Sequence, residues 1–149
     1  MKFRGEYEFL SNFYPAPIPH GHLVFRTAEH FYQWCKTLDP QEKQEIYCAS
    51  TPGKAKRLGA KCTIREDWEK PVGQSQVPFK VQTMRSILYA KFTYNPDLGE
   101  KLIATGDIPL VEENDWGDTF WGMCDGKGEN ELGKALMDLR SFLVMHIRG

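Results

Sequence analysis

The segment TAEHFYQWCK, residues 27–36, has the pattern of an amphipathic helix. Thr27 can cap the start of this helix, because a threonine hydroxyl accepts a hydrogen bond from a backbone N–H of the first turn. Apolar side chains then recur at steps of three and four, at Ala28, Phe31, Cys35 and Leu38. We therefore expect this face of the helix to lie in the core.

A neighbouring edge of the same predicted helix carries Glu29, Gln33 and Lys36. Residues three or four apart are neighbours on a helix surface, so one acid, one amide and one base are aligned. Glu29 also lies in the first turn, where the helix dipole favours a carboxylate. A first-turn glutamate often serves only to stabilise the helix start, so the spacing alone leaves a structural and a functional role open.

The flanking segments predict further short elements. Upstream, prolines 15, 17 and 19 predict short strands and turns through Phe25. Downstream, DPQE at residues 39–42 has the form of a capping box with proline at the first helical position. It predicts a second helix to about Cys48, with Cys35 and Cys48 as small core residues. Thr51 starts a third helix, which Gly59 is expected to end.

The second half of the chain predicts mostly helix. Helical spacing of apolar residues covers residues 84–92, and a further helix is expected from Asn95 to Thr105. The short apolar run at residues 108–112 predicts a strand. Asn130 is expected to cap a final helix, whose apolar face comprises Leu132, Ala135, Leu136, Leu139, Leu143 and Ile147. The pattern predicts a single α+β domain over residues 1–149, mostly helical with a small sheet.

Composition limits the classes of partner. The 149 residues carry a formal net charge of −1, so no global field attracts nucleic acid or an anionic membrane. The apolar stretches are too short to span a membrane, the N-terminus does not resemble a secretory signal, and the four cysteines form no C-x-x-C pair. We expect a cytoplasmic protein with reduced thiols. Nothing in the pattern requires a cofactor or a metal.

Several phrases, taken in order, resemble the NADAR (YbiA-like) family of N-glycosidases. They are FLSNFYP at 9–15, TAEHFYQ at 27–33 followed by Lys36, the segment 52–59, Trp68, Lys91-Phe92, Thr105-Gly106, LVE at 110–112, DTFWG at 118–122 and GENELG at 128–133 followed by Leu136-Met137 and Arg140. Each phrase is weak alone, but their order along residues 9–143 is a strong signal. Residues 71–78 depart from the shorter bacterial relatives, forming an apparent inserted loop.

The resemblance implies an α+β fold and hydrolysis of a ribosyl C1′–N bond. Some members of the family act on phosphoribosylamino-pyrimidine intermediates of riboflavin synthesis, and others remove ADP-ribose from guanine. Breaking such a bond builds positive charge at C1′, while the departing nitrogen needs a proton, so a pair of carboxyl groups is the usual solution. The family phrases supply Glu29 and Asp118 as that pair, without deciding which is acid and which is base. The competing interpretation of Asp118 is an Asx-turn before the glycines.

The remaining candidates come from the same phrases. Lys36 either binds phosphate or, as a desolvated amine, attacks C1′; a solvated helix lysine is the plain alternative. Trp68 and Trp121 are candidates to stack on a base, although tryptophan is more often a core residue. Lys56 and Arg57 suit a phosphate. The other expected substrate contacts are Asn12, Phe13, Gln33, Gly122 and Asn130, of which Asn130 can equally be a helix cap.

Three functions remain open at this point. The first is hydrolysis of a small phosphoribosylated heterocycle. The second is hydrolysis of ADP-ribosylated guanine in nucleic acid, which a longer basic stripe than the one at residues 54–57 would favour. The third is a non-catalytic module that binds ADP-ribose or NAD, which the absence of Glu29 or Asp118 would favour, and both are present.

Overall fold

The structure, a computed structural model, describes residues 2–148 and the side chains of residues 2–146. By its internal contacts the chain divides into two compact units. One unit is continuous from Asn12 to Tyr94, and the other combines the residues up to Ser11 with those from Asn95 onward. That residues 1–149 form one domain stays a prediction. Within residues 2–148 no helix is long and apolar enough to cross a membrane.

The continuous unit contains a small hairpin and four helices: β1 (Ile18–His20), β2 (Leu23–Phe25), α1 (Ala28–Cys35), α2 (Pro40–Tyr47), α3 (Pro52–Lys61) and α4 (Phe79–Tyr94). The strands pair antiparallel, with Ile18 opposite Phe25. Gly21 has a φ of 60° in the tight turn between them, a conformation that glycine adopts without strain. This architecture confirms the predicted fold class, mostly helical with a small sheet.

Helix α1 packs against α2, α3 and α4. Phe31 on its apolar face stacks on Phe25 of β2, with ring centroids 4.3 Å apart. The predicted face was too long at its end, because α1 stops at Cys35 and Leu38 is 63% exposed. The chain must leave the helix here, since Asp39 precedes a proline and proline disfavours the helical conformation of the residue before it.

Helix α2 is capped as predicted, but the reciprocal bond of a capping box is not made. The Asp39 carboxylate accepts from the N–H groups of Gln41 and Glu42. The Glu42 carboxylate instead accepts from the Thr37 hydroxyl at 2.6 Å and from the Thr63 N–H at 3.0 Å. The Asp39 N–H already donates to Thr37 Oγ1, so it has no need of Glu42.

The cysteines only partly follow expectation. Cys48 is exposed at the end of α2, so its assignment to the core was wrong. Cys35 is half-buried, and burial raises the pKa of its thiol to about 11. A thiol with so high a pKa is protonated at neutral pH and therefore a poor nucleophile.

The discontinuous unit begins with a 3₁₀ helix, Gly5–Leu10, where only strands and turns were expected. It continues with α5 (Pro96–Ala104) and α6 (Glu131–Leu143), and a π-helical turn, Val144–Arg148, follows α6. Helices α5 and α6 pack together through apolar side chains. The expected continuation of the α6 apolar face to Ile147 lies outside the described side chains.

The predicted strand at residues 108–112 is not formed, because its polar groups are paired with side chains. The Ile108 carbonyl accepts from Arg140 Nη1 at 2.9 Å. Asn130 donates from Nδ2 to the Leu110 carbonyl and accepts at Oδ1 from the Glu112 N–H, both at 3.0 Å. Asn130 holds the predicted N-cap position of α6, with a φ of 53°, but its side chain makes no capping hydrogen bond and fastens the 110–112 segment instead.

Candidate active site

The N-terminus of α1 holds Glu29 in a buried position. Thr27 caps the helix as predicted, accepting at Oγ1 from the His30 N–H at 3.1 Å. The Glu29 N–H, which has no partner inside the helix, donates to the Asn12 carbonyl at 3.0 Å. The Glu29 side chain is 7% exposed. A negatively charged side chain in this position lies near the positive end of the helix dipole.

Gln33 fixes the orientation of this carboxylate. Its Nε2 donates to Glu29 Oε2 at 2.6 Å, across one turn of α1. A hydrogen bond this short fixes the carboxylate relative to the amide that donates to it. The predicted alignment of Glu29 with Gln33 is therefore present as a direct contact.

Two buried side-chain oxygen atoms, one of them on Gln33 itself, have no hydrogen-bond partner within residues 2–148. They are Oδ1 of Asn12 and Oε1 of Gln33. The Asn12 amide nitrogen contacts Met84 Sδ at 3.6 Å, a weak acceptor. Because an unpaired buried acceptor is costly, these atoms suit a ligand that brings hydroxyl or amino donors.

His30 supports the turn that carries Glu29. Its Nε2 lies 3.0 Å from the Ala49 carbonyl and its Nδ1 lies 2.8 Å from Thr27 Oγ1. A carbonyl only accepts, so Nε2 carries the hydrogen and Nδ1 accepts from the threonine hydroxyl. Desolvation by burial lowers the pKa of His30, in agreement with this neutral form.

Phe13 and Lys56 form an exposed pair in the same unit. The Phe13 ring is 39% exposed, and Lys56 Nζ lies 6.0 Å from its centroid. Lys54 and Arg57 are also exposed on α3, whose start is capped by Thr51. A ring face beside a group of cations suits a base carrying a phosphate.

Lys36 does not have the burial that the nucleophile hypothesis requires. It is half-buried at the end of α1, where its carbonyl accepts from the Arg65 N–H at 2.9 Å. Its ammonium lies close enough to Cys62 to lower the pKa of that thiol, although burial raises that pKa overall. A phosphate contact is the role that this half-exposed position favours.

Lys91 is a buried lysine that the sequence analysis quoted in a family phrase but did not name as a site residue. It is fully buried on α4, with its ammonium 5.9 Å from the Tyr14 ring centroid, and desolvation lowers its pKa to about 7. The available signal was a cationic residue at a core position of a predicted helix, in series with Met84 and Ile87. An amine with this pKa can move a proton or act as a nucleophile at neutral pH.

Trp68 lies in the core and presents no face for stacking. It is 3% exposed and packs against Tyr32 and Phe79, with ring centroids 5.2 Å and 6.0 Å away. The loop at residues 71–78 follows Trp68 closely in sequence and is closed at its base, where the Phe79 N–H donates to the Lys70 carbonyl at 2.8 Å. The structure thus favours the core role of Trp68 over base stacking.

Asp118 belongs to the discontinuous unit and forms the Asx-turn that was its structural alternative. Its Oδ1 accepts from the N–H groups of Phe120 at 3.1 Å and Trp121 at 3.0 Å. Buried Asn114 fixes the same turn, donating from Nδ2 to the Asp118 carbonyl at 2.8 Å. The turn holds a half-buried carboxylate beside the half-buried Trp121. This arrangement is compatible with a catalytic role without requiring one.

Gly122 and Asn130 support this loop. A side chain at Gly122 would collide with the backbone and carboxylate of Glu112. The Asn130 N–H donates to the Gly122 carbonyl at 3.3 Å, while both polar atoms of its side chain are bonded to residues 110 and 112. Both residues therefore have structural explanations, and substrate contact by either stays a prediction.

Among residues 2–148, no group of three or more His, Cys, Asp or Glu side chains is arranged to hold a metal ion.

The predicted site residues fall into two sets. The continuous unit brings Asn12, Glu29 and Gln33 together and, separately, Phe13 with Lys56. The other unit brings Asp118 together with Trp121.

Comparison with known proteins identifies the family. The model of the NADAR domain matches residues 2–144. The chain belongs to the NADAR domain family. Within the family it is 37% identical to the N-glycosidase YbiA of Escherichia coli over 141 residues, which are 94% of this chain and 84% of YbiA. The NMR structure of E. coli YbiA matches with a TM-score of 0.82 at 35% identity, covering 97% of this chain and 84% of that one.

A second relative is a larger protein. A riboflavin biosynthesis protein of Vibrio vulnificus is 36% identical over 141 residues, covering 93% of this chain but 36% of its own length. The resemblance inferred from the ordered phrases is thereby confirmed. The names of these relatives refer to N-glycosidase activity and to riboflavin biosynthesis.

Proposed function

We propose that this NADAR protein is an N-glycosidase that hydrolyses a ribosyl C1′–N bond, with Glu29 at the reacting carbon. The observation that carries the proposal is the buried Glu29 carboxylate, held by Gln33 at 2.6 Å in the first turn of α1. The N-glycosidase name of the E. coli relative supports it.

In the proposed reaction, Glu29 carries the negative charge that stabilises the reacting carbon. As the C1′–N bond breaks, its electron pair leaves with nitrogen and positive charge develops at C1′ and the ring oxygen. The ionised Glu29 stabilises that charge and accepts a proton from the attacking water. Asp118 is the proposed donor of the proton that the departing nitrogen takes up. The products are a sugar with a C1′ hydroxyl and a base with a new N–H.

The same unit supplies groups for the rest of the substrate. The unpaired side-chain oxygen of Asn12 suits a hydroxyl or amino donor. Phe13 offers a ring face, and the exposed cations Lys54, Lys56 and Arg57 of α3 suit a phosphate. Three cations match one phosphoryl group better than a nucleic-acid strand, which needs a longer basic track. We therefore propose a phosphoribosylamino-pyrimidine as the substrate class, and the name of the Vibrio relative points the same way.

The proposal is tested by a release assay on the purified protein. One reaction contains a phosphoribosylamino-pyrimidine, and a second contains an oligonucleotide with ADP-ribosylated guanine. Mass spectrometry of the freed base is the measurement. Release from the first substrate that Glu29→Gln abolishes supports the proposal, whereas release from the second alone moves the substrate to ADP-ribosylated guanine. No release from either, with tight binding of ADP-ribose, would establish a binding module instead.

A further inference from the structure

Gly59 lies where glycine is least favourable, inside a helix. The sequence pattern places the end of α3 at this residue, but the helix continues to Lys61. Glycine in a helix interior is disfavoured relative to alanine, because it loses more backbone freedom on folding. Gly59 is also buried, on the same face as Ala55. A tertiary contact must therefore explain why no side chain is present.

The contact is with Gln33 of α1. An alanine Cβ at residue 59 would overlap Oε1 and Cδ of Gln33, and it would lie 3.1 Å from Gln33 Cβ. The Gln33 amide thus occupies the space that a side chain on α3 would fill. The other end of that amide donates to Glu29 at 2.6 Å. The Gln33 amide therefore contacts the α3 backbone on one side and the Glu29 carboxylate on the other.

We propose that Gly59 is a positioning residue for the reaction: the missing side chain on α3 seats the Gln33 amide, and the amide orients the Glu29 carboxylate. Gln33 has few ways to avoid a larger residue 59. Its amide nitrogen is bonded to Glu29 and the side chain is 5% exposed, so a displaced amide must give up that bond or its packing. The functional consequence rests on the proposed role of Glu29.

The test is a double-mutant cycle with a matched control. The variants are Gly59→Ala, Gln33→Ala, the double variant, and Gly53→Ala as control. Gly53 lies in the same helix, and a Cβ there meets nothing closer than Arg57 Nη1 at 3.7 Å. Kinetics are measured on folded protein well below each unfolding midpoint, so that kcat and KM refer to the native state.

We expect Gly59→Ala to lower kcat by roughly 10- to 100-fold with KM nearly unchanged, because a misplaced catalytic group costs rate rather than binding. Gln33→Ala should lower kcat by a similar factor. Combining the two should cost no more than Gln33→Ala alone, since both act through the same amide. Gly53→Ala should stay within about twofold of the parent in kcat. Multiplying losses in the double variant, or an unchanged kcat in Gly59→Ala, would overturn the inference.

A stability arm keeps the test independent of the activity. Gly59→Ala should lower the unfolding midpoint in the parent and lower it much less in Gln33→Ala, where only the 3.1 Å contact with Cβ remains. If Gly59→Ala alone does not fold, folding of the double variant supports the same contact, and its failure to fold refutes it. Failure of the proposed function gives a different result. Glu29→Gln would then retain turnover, while the stability cycle would still report on the contact between residues 59 and 33.

Discussion

Replacing Lys91 by methionine should change the pH dependence of stability. Lys91 is completely buried on α4, and desolvation is what lowers its pKa. Methionine has similar length and no charge, so it fills the space without the cost of desolvating an ammonium group. The difference in free energy of unfolding between Lys91→Met and the parent isolates the titration of this one residue, because the other groups are common to both proteins.

The size of the effect follows from the two pKa values. The pKa is about 7 in the folded chain against the usual 10.5. Because the folded value is the lower one, the unfolded chain binds more protons between these limits, and the stability of the parent rises with pH. The penalty for burying Lys91 is about 4 kcal/mol at pH 7 and about 2 kcal/mol at pH 9. The advantage of Lys91→Met should therefore shrink by about 2 kcal/mol over this interval.

Urea unfolding at pH 7, 8 and 9 measures this difference directly. Lys61→Met, at an exposed lysine in the last turn of α3, is the matched control and should show a nearly constant difference. A constant difference for Lys91→Met across the same pH range would refute the conclusion that burial makes Lys91 titrate near neutral pH.

Three further outcomes follow from the site. The free energy of unfolding should fall as pH drops below about 6.5, because the lowered pKa of His30 means that the unfolded chain takes up the proton first. In urea unfolding, His30→Gln should lack this part of the pH dependence. A pH profile identical to that of the parent would contradict the prediction. Asp118→Asn should fold normally, because the asparagine keeps an oxygen for the N–H groups of Phe120 and Trp121. If Asp118 is the proton donor, kcat of this variant should fall by about 100-fold or more. Full activity in steady-state assays would remove Asp118 from the mechanism. Lys56→Gln should raise KM by about tenfold with kcat unchanged, because the variant loses one charged contact to the phosphate of the substrate. An unchanged KM would exclude that contact.

Local patterns predicted the helices well where local contacts decide the outcome. Thr27 and Asp39 cap α1 and α2 as their positions suggested. The alignment of Glu29 with Gln33 needed only the helical repeat. These features depend on residues within one helical turn, which a sequence displays directly.

The errors share a different cause, which is contact between residues distant in sequence. Gly59 has the form of a helix end, but Gln33 of another helix is the reason for the glycine. Asn130 has the form of a cap, yet its side chain bonds the 110–112 segment and replaces the strand expected there. The burial of Trp68 and of Lys91 likewise becomes visible only in their packing.

The most direct test of the central claim is base release from a phosphoribosylamino-pyrimidine by three proteins: the parent, Glu29→Gln and Glu45→Gln. Glu45 is an exposed glutamate on α2, so its variant controls for the loss of one negative charge. The account predicts turnover by the parent and by Glu45→Gln, and none above background by a folded Glu29→Gln. Equal turnover by all three would contradict the assignment of Glu29 to the reacting carbon.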